Sequence, residues 1–278
     1  MSADQLPSWH GTPTKRSIVE FVAAVTDPDS PDFVPERDRV AVFDNDGTLW
    51  TEQPVYAQLV FAIDRAAELG HPTSLDKLQA GGMASLIELV ALTHAGITTA
   101  EFDDLCRNWL ASARHPRFGR PYPQTVYQPM LELLGLLDRS GFSCWIFSGG
   151  GTDFMRAWAG DVYGVPQHRV IGSVGETEFR INAGGPELVK TPKVQVIDGG
   201  PQKRARSTGM SGSDRFSPPG IPTATSPCSS GPPPARTGPC SWLSTTPTPS
   251  GNMPTTLTPS WAAAPTRFSP PPPTTSGP

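Results

Sequence analysis

The 278-residue chain carries 33 prolines and 27 glycines, 37% hydrophobic and 17% charged residues, and a formal net charge of −4. These averages merge two compositions. Eighteen prolines fall in the 75 residues after Lys203, where Asp214 is the sole acid beside five arginines; residues 1–203 hold 25 acids against 17 Lys and Arg, a net charge near −8. The acidic part excludes a nucleic-acid surface there, and no run reaches the ~18 apolar residues of a membrane span. Met1 to Pro35 shows no apolar leader core, so a cytoplasmic protein is expected. Cys106, Cys144, Cys228 and Cys240 have neither CxxC spacing nor a paired pattern, which argues against a metal cluster or a disulfide framework.

Lys15–Thr26 has apolar residues at Ile18, Val19, Phe21, Val22 and Val25, the spacing of a short amphipathic helix. Val40–Phe43 is an apolar run that reads as a buried strand, and Asp44-Asn45-Asp46-Gly47-Thr48 closes it as a turn. Helical patterns follow over Tyr56–Leu69, Leu75–Gln79, Met83–Leu92 and Thr99–Ala113, the last capped by Thr99 with Asp103 in its first turn. Arg114–Gln124 is a loop and Val126–Ser140 another helix. Cys144–Phe147 is a second apolar strand, with Cys144 a reduced core residue, and it runs into Ser148-Gly149-Gly150-Gly151. Residues 153–159 read as a helix, Val170–Val174 as a strand, and Phe179–Ile181 and Val194–Ile197 as short strands in an irregular stretch. Strand, helices, strand, helix is the grammar of a mainly parallel sheet. The roughly 75 mostly helical residues between the first two strands exceed a single crossover and read as an inserted domain.

In open α/β sheets the working residues lie at the carboxyl ends of strands. Two carboxylates two residues apart on a turn can divide the work: one binds a cation and attacks, the other moves protons. A hydroxyl with glycine N–H groups, as in Ser148-Gly149-Gly150, suits a phosphate. Taken as a calcium loop starting at Asp44, the first cluster would place Val55 where the bidentate Glu belongs, so that reading fails. An Asx turn and a flexible glycine loop are the plain alternatives for each cluster alone; the pair at two strand ends outweighs them.

V-A-V-F-D-N-D-G-T-L-W resembles the first motif of the haloacid dehalogenase (HAD) superfamily, and I-F-S-G-G-G resembles the second. The helical insertion is similar to the C1 cap of phosphoserine-phosphatase-like members. The resemblance implies a Rossmann-like core of residues 1–50 and 126–203 with a cap of residues 51–125. It implies Asp44 as a nucleophile that forms an aspartyl-phosphate, and Asp46 as the group that protonates the leaving oxygen and then activates water. The second aspartate points to phosphate transfer rather than dehalogenation. Mg²⁺ would be held by the Asp44 carboxylate and the Asp46 carbonyl, and Ser148 and the Gly149 N–H would hold phosphoryl oxygens. A lysine that neutralises the phosphate completes the set. Lys190, Lys193 and Lys203 compete for that role, and Lys203, in Gly200-Pro201-Gln202-Lys203, fits best. Trp50, Glu52, Tyr56, Arg107, Arg114 and Arg117 are candidates at the cap edge.

The resemblance stops after Lys203. The further aspartates that complete the metal shell, after another apolar strand, have no counterpart, because Asp214 follows Ser-Gly-Ser. Residues 204–278 read as a Pro/Ser/Thr-rich disordered low-complexity tail. Two origins fit: a natural tail, or translation out of frame. Permitted codons for Arg215–Ser229, read from each third base, give V-L-A-A-G-N-S-D-G-D-I-A-V-L, a strand followed by the missing motif. Gly238–Pro259 likewise permits an ordinary acidic globular sequence. The frameshift is the favoured origin, with the break between about residues 199 and 210. A core so truncated exposes apolar sheet surface and binds metal weakly, so the chain as translated is expected to be poorly stable and nearly inactive.

The function expected is Mg²⁺-dependent hydrolysis of a small phosphorylated metabolite, phosphoserine-like at its most specific. Phosphomutase or phosphonate-hydrolase chemistry is the alternative within the family; a non-enzymatic protein using Pro232–Pro234 and Pro270–Pro273 as polyproline ligands is the alternative outside it. Neither substrate nor oligomeric state is legible. His10, His71, His94, His115 and His168 show no ligand spacing and read as surface or loop residues.

Overall fold

The computed structural model describes residues 4–197. Helix α1 (Pro13–Thr26) opens the chain, with Thr12 as its cap and Pro13 in its first turn. Strand β1 (Val40–Phe43) follows. Three helices come next: α2 (Ala57–Glu68), α3 (Leu75–His94) and α4 (Thr99–Ser112). Helix α5 (Gln128–Arg139) leads into β2 (Ser143–Gly151), two short helices α6 (Thr152–Arg156) and α7 (Ala159–Tyr163), and the long strands β3 (Val170–Asn182) and β4 (Gly185–Val196).

The four strands lie in sequence order. β1 pairs parallel with β2 and β2 with β3, while β3 and β4 form an antiparallel hairpin. This is the expected mainly parallel α/β sheet. Among the described residues β1 is the outer strand on its side. The core gathers Val22 and Val25 of α1, Phe43 of β1, Leu133 and Leu137 of α5, and Ile146 of β2. A smaller apolar cluster of Ala62, Ala66, Leu78 and Leu89 joins α2 to α3. No described helix is long and apolar enough to cross a membrane.

The helices between β1 and β2 are joined to the sheet layer through aromatic rings. Phe61 of α2 lies 5.4 Å from Phe154 of α6 and 5.8 Å from Phe102 of α4, and Trp109 of α4 stacks on Tyr122 at 5.0 Å. Such pairs contribute about 0.5–1.5 kcal/mol each beyond the area they bury.

Several local expectations are corrected. Leu75–Gln79 and Met83–Leu92 are the two expected helical segments, lying on either side of Gly82, whose φ of 60° and ψ of −147° break α3 between them. Thr98, not Thr99, caps α4: its side chain accepts from the Glu101 N–H while the Glu101 carboxylate accepts from the Thr98 N–H. β2 extends through Ser148–Gly151, which sets aside the plain alternative of a flexible loop, and residues 153–159 divide between α6 and α7 at Trp158. The irregular stretch after Val174 is a continuous hairpin whose exposed Phe179 and Ile181 hid its pattern. His94 is a buried residue of α3 rather than a surface or loop residue, and His115 lies in a loop but is buried there. His94 Nδ1 shares a 2.7 Å hydrogen bond with the Thr93 hydroxyl, and His115 bonds Gln53 O through Nε2 while its Nδ1 accepts from the Arg117 N–H. Cys144 is buried and reduced, and burial pushes its thiol up to about 12. Lys203, Asp214, Cys228, Cys240 and the whole 204–278 tail lie outside the described residues.

Candidate active site

β1 delivers Asp44 and the turn after it. The turn is organised by Asn45, whose carbonyl accepts N–H bonds from Thr48 at 3.1 Å and Leu49 at 2.8 Å. The Tyr163 hydroxyl donates to the buried Asn45 side chain at 3.0 Å. Gly47 has φ +70°, and a Cβ there would stand 2.8 Å from Glu52 Cδ, so this position needs glycine both for its backbone and for the carboxylate packed on it.

Asp46 is held at both oxygens. The Trp50 Nε1–H donates to Oδ1 at 2.8 Å, and the Ser148 hydroxyl donates to Oδ2 at 3.5 Å. Trp50 is fully buried and lies 4.2 Å from the Trp158 ring. Burial raises the Asp46 pKa above the ordinary carboxylate range; the charges of Asp44 and Glu52 push the same way, and the bonds from Trp50 and Ser148 oppose them. Tyr56 stands at the same acidic mouth: burial, then the charges of Glu52, Asp46 and Asp44, raise its phenol above its ordinary value.

The end of β2 faces this turn. Ser148 is buried, the Gly150 N–H donates to its Oγ at 3.1 Å, and the Ser173 hydroxyl donates to the Gly149 carbonyl at 2.8 Å. The Gly151 N–H donates to Gln58 Oε1, in the first turn of α2, at 2.6 Å. A Cβ on Gly150 would meet Gln58 Oε1, Ser148 Oγ and Asp46 Oδ2 at 3.4, 3.5 and 3.6 Å, and a Cβ on Gly172 would stand 2.2 Å from the Gly150 carbonyl oxygen. Gly150 thus leaves room for three polar side chains beside it, and Gly172 lets β3 approach the Gly150 carbonyl closely.

These contacts bring together Asp46, Ser148 and the glycine run, with Asp44 at the end of β1. A family model described as haloacid dehalogenase-like hydrolase matches residues 41–212, more than half of the chain. The chain belongs to this family. No curated protein matches it. Among solved structures, this HAD-like hydrolase is similar to a phosphoserine phosphohydrolase-like protein from Francisella tularensis, at 18% identity over 62% of this chain and 73% of that one, with a TM-score of 0.37. It is also similar to a protein of unknown function from Anaerococcus prevotii, at 15% identity over 68% of this chain and 74% of that one, with a TM-score of 0.38. A third similarity is to cytosolic 5'-nucleotidase IIIB bound to cytidine, at 17% identity over 66% of this chain and 58% of that one, with a TM-score of 0.33.

The other candidates divide. Lys190 is buried on β4, paired with Asp153 of α6, with its Nζ 4.7 Å from the centre of the Phe102 ring. Lys193 is exposed and lies 3.7 Å from Glu176. Neither lysine is among the groups that shift Asp46. Arg107 pairs with Asp103 and Asp161, and Arg117 lies over the exposed Phe118 ring. The Arg114 guanidinium bonds the Ala111 carbonyl at 3.4 Å. Glu52 and Tyr56 are at the site. Trp50 is a buried support for Asp46 rather than part of a cap edge.

Sequence reasoning passed over Gln58, Trp158 and Tyr163. A glutamine 14 residues after Asp44 carries no motif, and only the third glycine of the run, Gly151, hints that something packs on it.

For the HAD-like hydrolase the metal to test is Mg²⁺, which takes hard oxygen ligands. The Asp44 carboxylate and the Asp46 carbonyl are oxygen donors of that kind. The charges of Asp44 and Glu52 bear on Asp46, and a divalent cation relieves that repulsion. The donor chemistry fits. Among the described residues no three His, Cys, Asp or Glu side chains are grouped as a metal cage, so further donors would be water, substrate or residues beyond 197.

Proposed function

We propose that this HAD-like hydrolase is a phosphomonoesterase that acts through an aspartyl-phosphate on Asp44, with a small phosphorylated metabolite as substrate. One observation carries the reading. A second carboxyl, Asp46, stands two residues beyond Asp44, fixed by Trp50 and Ser148 in surroundings that favour its protonated form.

The Asp44 carboxylate attacks phosphorus, and the bond to the ester oxygen breaks. The leaving alkoxide takes the proton from Asp46 and departs as an alcohol. Asp46, now a carboxylate, takes a proton from water as the water oxygen attacks phosphorus, and the bond between phosphorus and the Asp44 carboxylate oxygen breaks. Inorganic phosphate leaves, and both carboxyls return to their starting states. The Ser148 hydroxyl orients Asp46, and the neighbouring Gly149 N–H is a donor for a phosphoryl oxygen. Bound Mg²⁺, held by Asp44 and the Asp46 carbonyl, supplies charge neutralisation between the anionic nucleophile and the anionic phosphate. Lys203, within the stretch matched by the family model, is assigned the remaining neutralising charge.

The test is hydrolysis of a panel of phosphate monoesters by the full chain with Mg²⁺, beside the Asp44→Asn variant. DNA sequence across codons 195–215 decides whether the tail is translated out of frame. On the frameshift reading the restored chain is active, Asp44→Asn abolishes that activity, and the 278-residue chain is much weaker. Robust hydrolysis by the 278-residue chain would overturn the expectation of impairment, and hydrolysis indifferent to Asp44 would overturn the mechanism.

A further inference from the structure

Gln58 reaches the glycine run from α2, across the interface between the inserted helices and the sheet. Its Oε1 accepts the Gly151 N–H at 2.6 Å. A main-chain N–H can only donate, so this bond fixes which end of the amide is oxygen and which is nitrogen. With Oε1 turned to the Gly151 N–H, the other end of the amide is Nε2, which can only donate. Gln58 also explains the third glycine of Ser-Gly-Gly-Gly, since a Cβ on Gly151 would stand 2.5 Å from Gln58 Nε2. The amide oxygen stands beside Ser148 Oγ and Asp46 Oδ2, at 3.4, 3.5 and 3.6 Å from where a Cβ on Gly150 would be, and Nε2 is carried on the same amide carbon over Gly151. The side chain is half-buried and α2 begins only one residue before it, so the amide is held by the fold rather than free in solvent.

We propose that Gln58 binds a phosphoryl oxygen through its Nε2–H, so that the inserted helices contribute one ligand of the phosphate directly. This rests on the phosphate-ester reading of the site. It assigns to the insertion a part in binding the reacting group itself, beyond covering it. An amide held in this sense offers a donor to a ligand oxygen.

The test is binding of inorganic phosphate to the full chain, by calorimetry at pH 7.5 with Mg²⁺, for the parent, Gln58→Glu and Gln58→Leu. The Glu variant keeps an acceptor for Gly151 and loses the donor; the Leu variant loses both without adding charge. Both are expected to bind phosphate about tenfold or more weakly, the worth of one hydrogen bond to a charged group. The Gly151 amide resonance in the ¹⁵N spectrum is expected to keep its position in Gln58→Glu and to move in Gln58→Leu, and dispersed spectra of both variants report that they are folded. Parent-like phosphate affinity in folded Gln58→Leu overturns the proposal, as does a parent that binds no phosphate. The phosphate-ester reading fails separately: Gln58-dependent phosphate binding in a protein that hydrolyses no phosphate ester keeps this inference and removes that one.

Discussion

The Lys190–Asp153 pair offers a stability test that needs no substrate. Its two partners differ in their access to water: the Lys190 side chain is 3% exposed and that of Asp153 is 37% exposed. In Asp153→Asn the ammonium stays buried, faced by an amide oxygen and by the Phe102 ring 4.7 Å from its nitrogen. Breaking a buried pair by removing one partner costs about 3–5 kcal/mol. Water reaching the pair through the half-exposed carboxylate and the ring contact together lower the expectation to about 2–3 kcal/mol. In Lys190→Met the remaining carboxylate can hydrate, and the thioether takes the place over the ring, so the expected cost is about 0–1.5 kcal/mol. The double variant is expected to be no less stable than Asp153→Asn alone, because it removes the stranded charge. Urea unfolding at pH 7.5 followed by circular dichroism measures all three. A Lys190→Met variant as unstable as Asp153→Asn, or a double variant whose cost is the sum of the singles, refutes the reasoning.

The remaining predictions concern pH and the turn after β1. Burial, with the nearby Lys190 charge, lowers the His94 pKa from 6.5 to about 4. The unfolded chain therefore takes up a proton that the folded chain refuses, and stability is lost as pH falls from about 6.5 towards 4, by about 3 kcal/mol at most. Replacing His94 with Gln is expected to flatten that part of the unfolding curve, and an unchanged pH dependence counts against it. Trp50→Phe removes a bond that lowers the Asp46 pKa, so Asp46 keeps its proton to higher pH. In a chain active on phosphate esters, the alkaline limb of kcat/KM is expected to move to higher pH; a move to lower pH contradicts the assignment of Asp46 as the acid. Gly47→Ala places a Cβ 2.8 Å from Glu52 Cδ at φ +70°; a loss of about 1–3 kcal/mol is expected in urea unfolding, and a neutral effect removes the packing argument.

Much of the sheet was legible because its strands are local apolar runs. Val40–Phe43 and Cys144–Phe147 stand out from polar flanks, and the chemistry follows each of them in the chain. The hairpin was not legible. Its distal half exposes Phe179, Ile181 and Leu188 while its buried half includes Lys190, so the alternation that marks a half-buried strand is inverted along its length. His115 lies in a loop as expected, but its burial and that of the helical His94 were not legible, because the groups that satisfy them, Thr93 and the Gln53 carbonyl, are apparent only in three dimensions. At the site, Asp44, Asp46 and Ser148 carry a spacing that chemistry explains. Gln58 and Trp50 act through helix placement and a buried indole, and a single sequence holds no periodicity or motif for either. Most of the proline excess, the first anomaly in the composition, belongs to residues outside the described fold.

The central claim is that Asp44 is the nucleophile of a phosphate-ester hydrolase. Its most direct measurement is recovery of a phosphorylated Asp44 peptide by mass spectrometry, after rapid acid quench of the frame-restored chain with Mg²⁺ and a hydrolysed phosphate monoester. The account predicts a phosphoryl group on Asp44 that is absent from Asp44→Asn and that accumulates in Asp46→Asn, where the leaving group is good enough to depart without the acid. Phosphate release with no label on Asp44 in either the parent or Asp46→Asn, or undiminished turnover in Asp44→Asn, contradicts it.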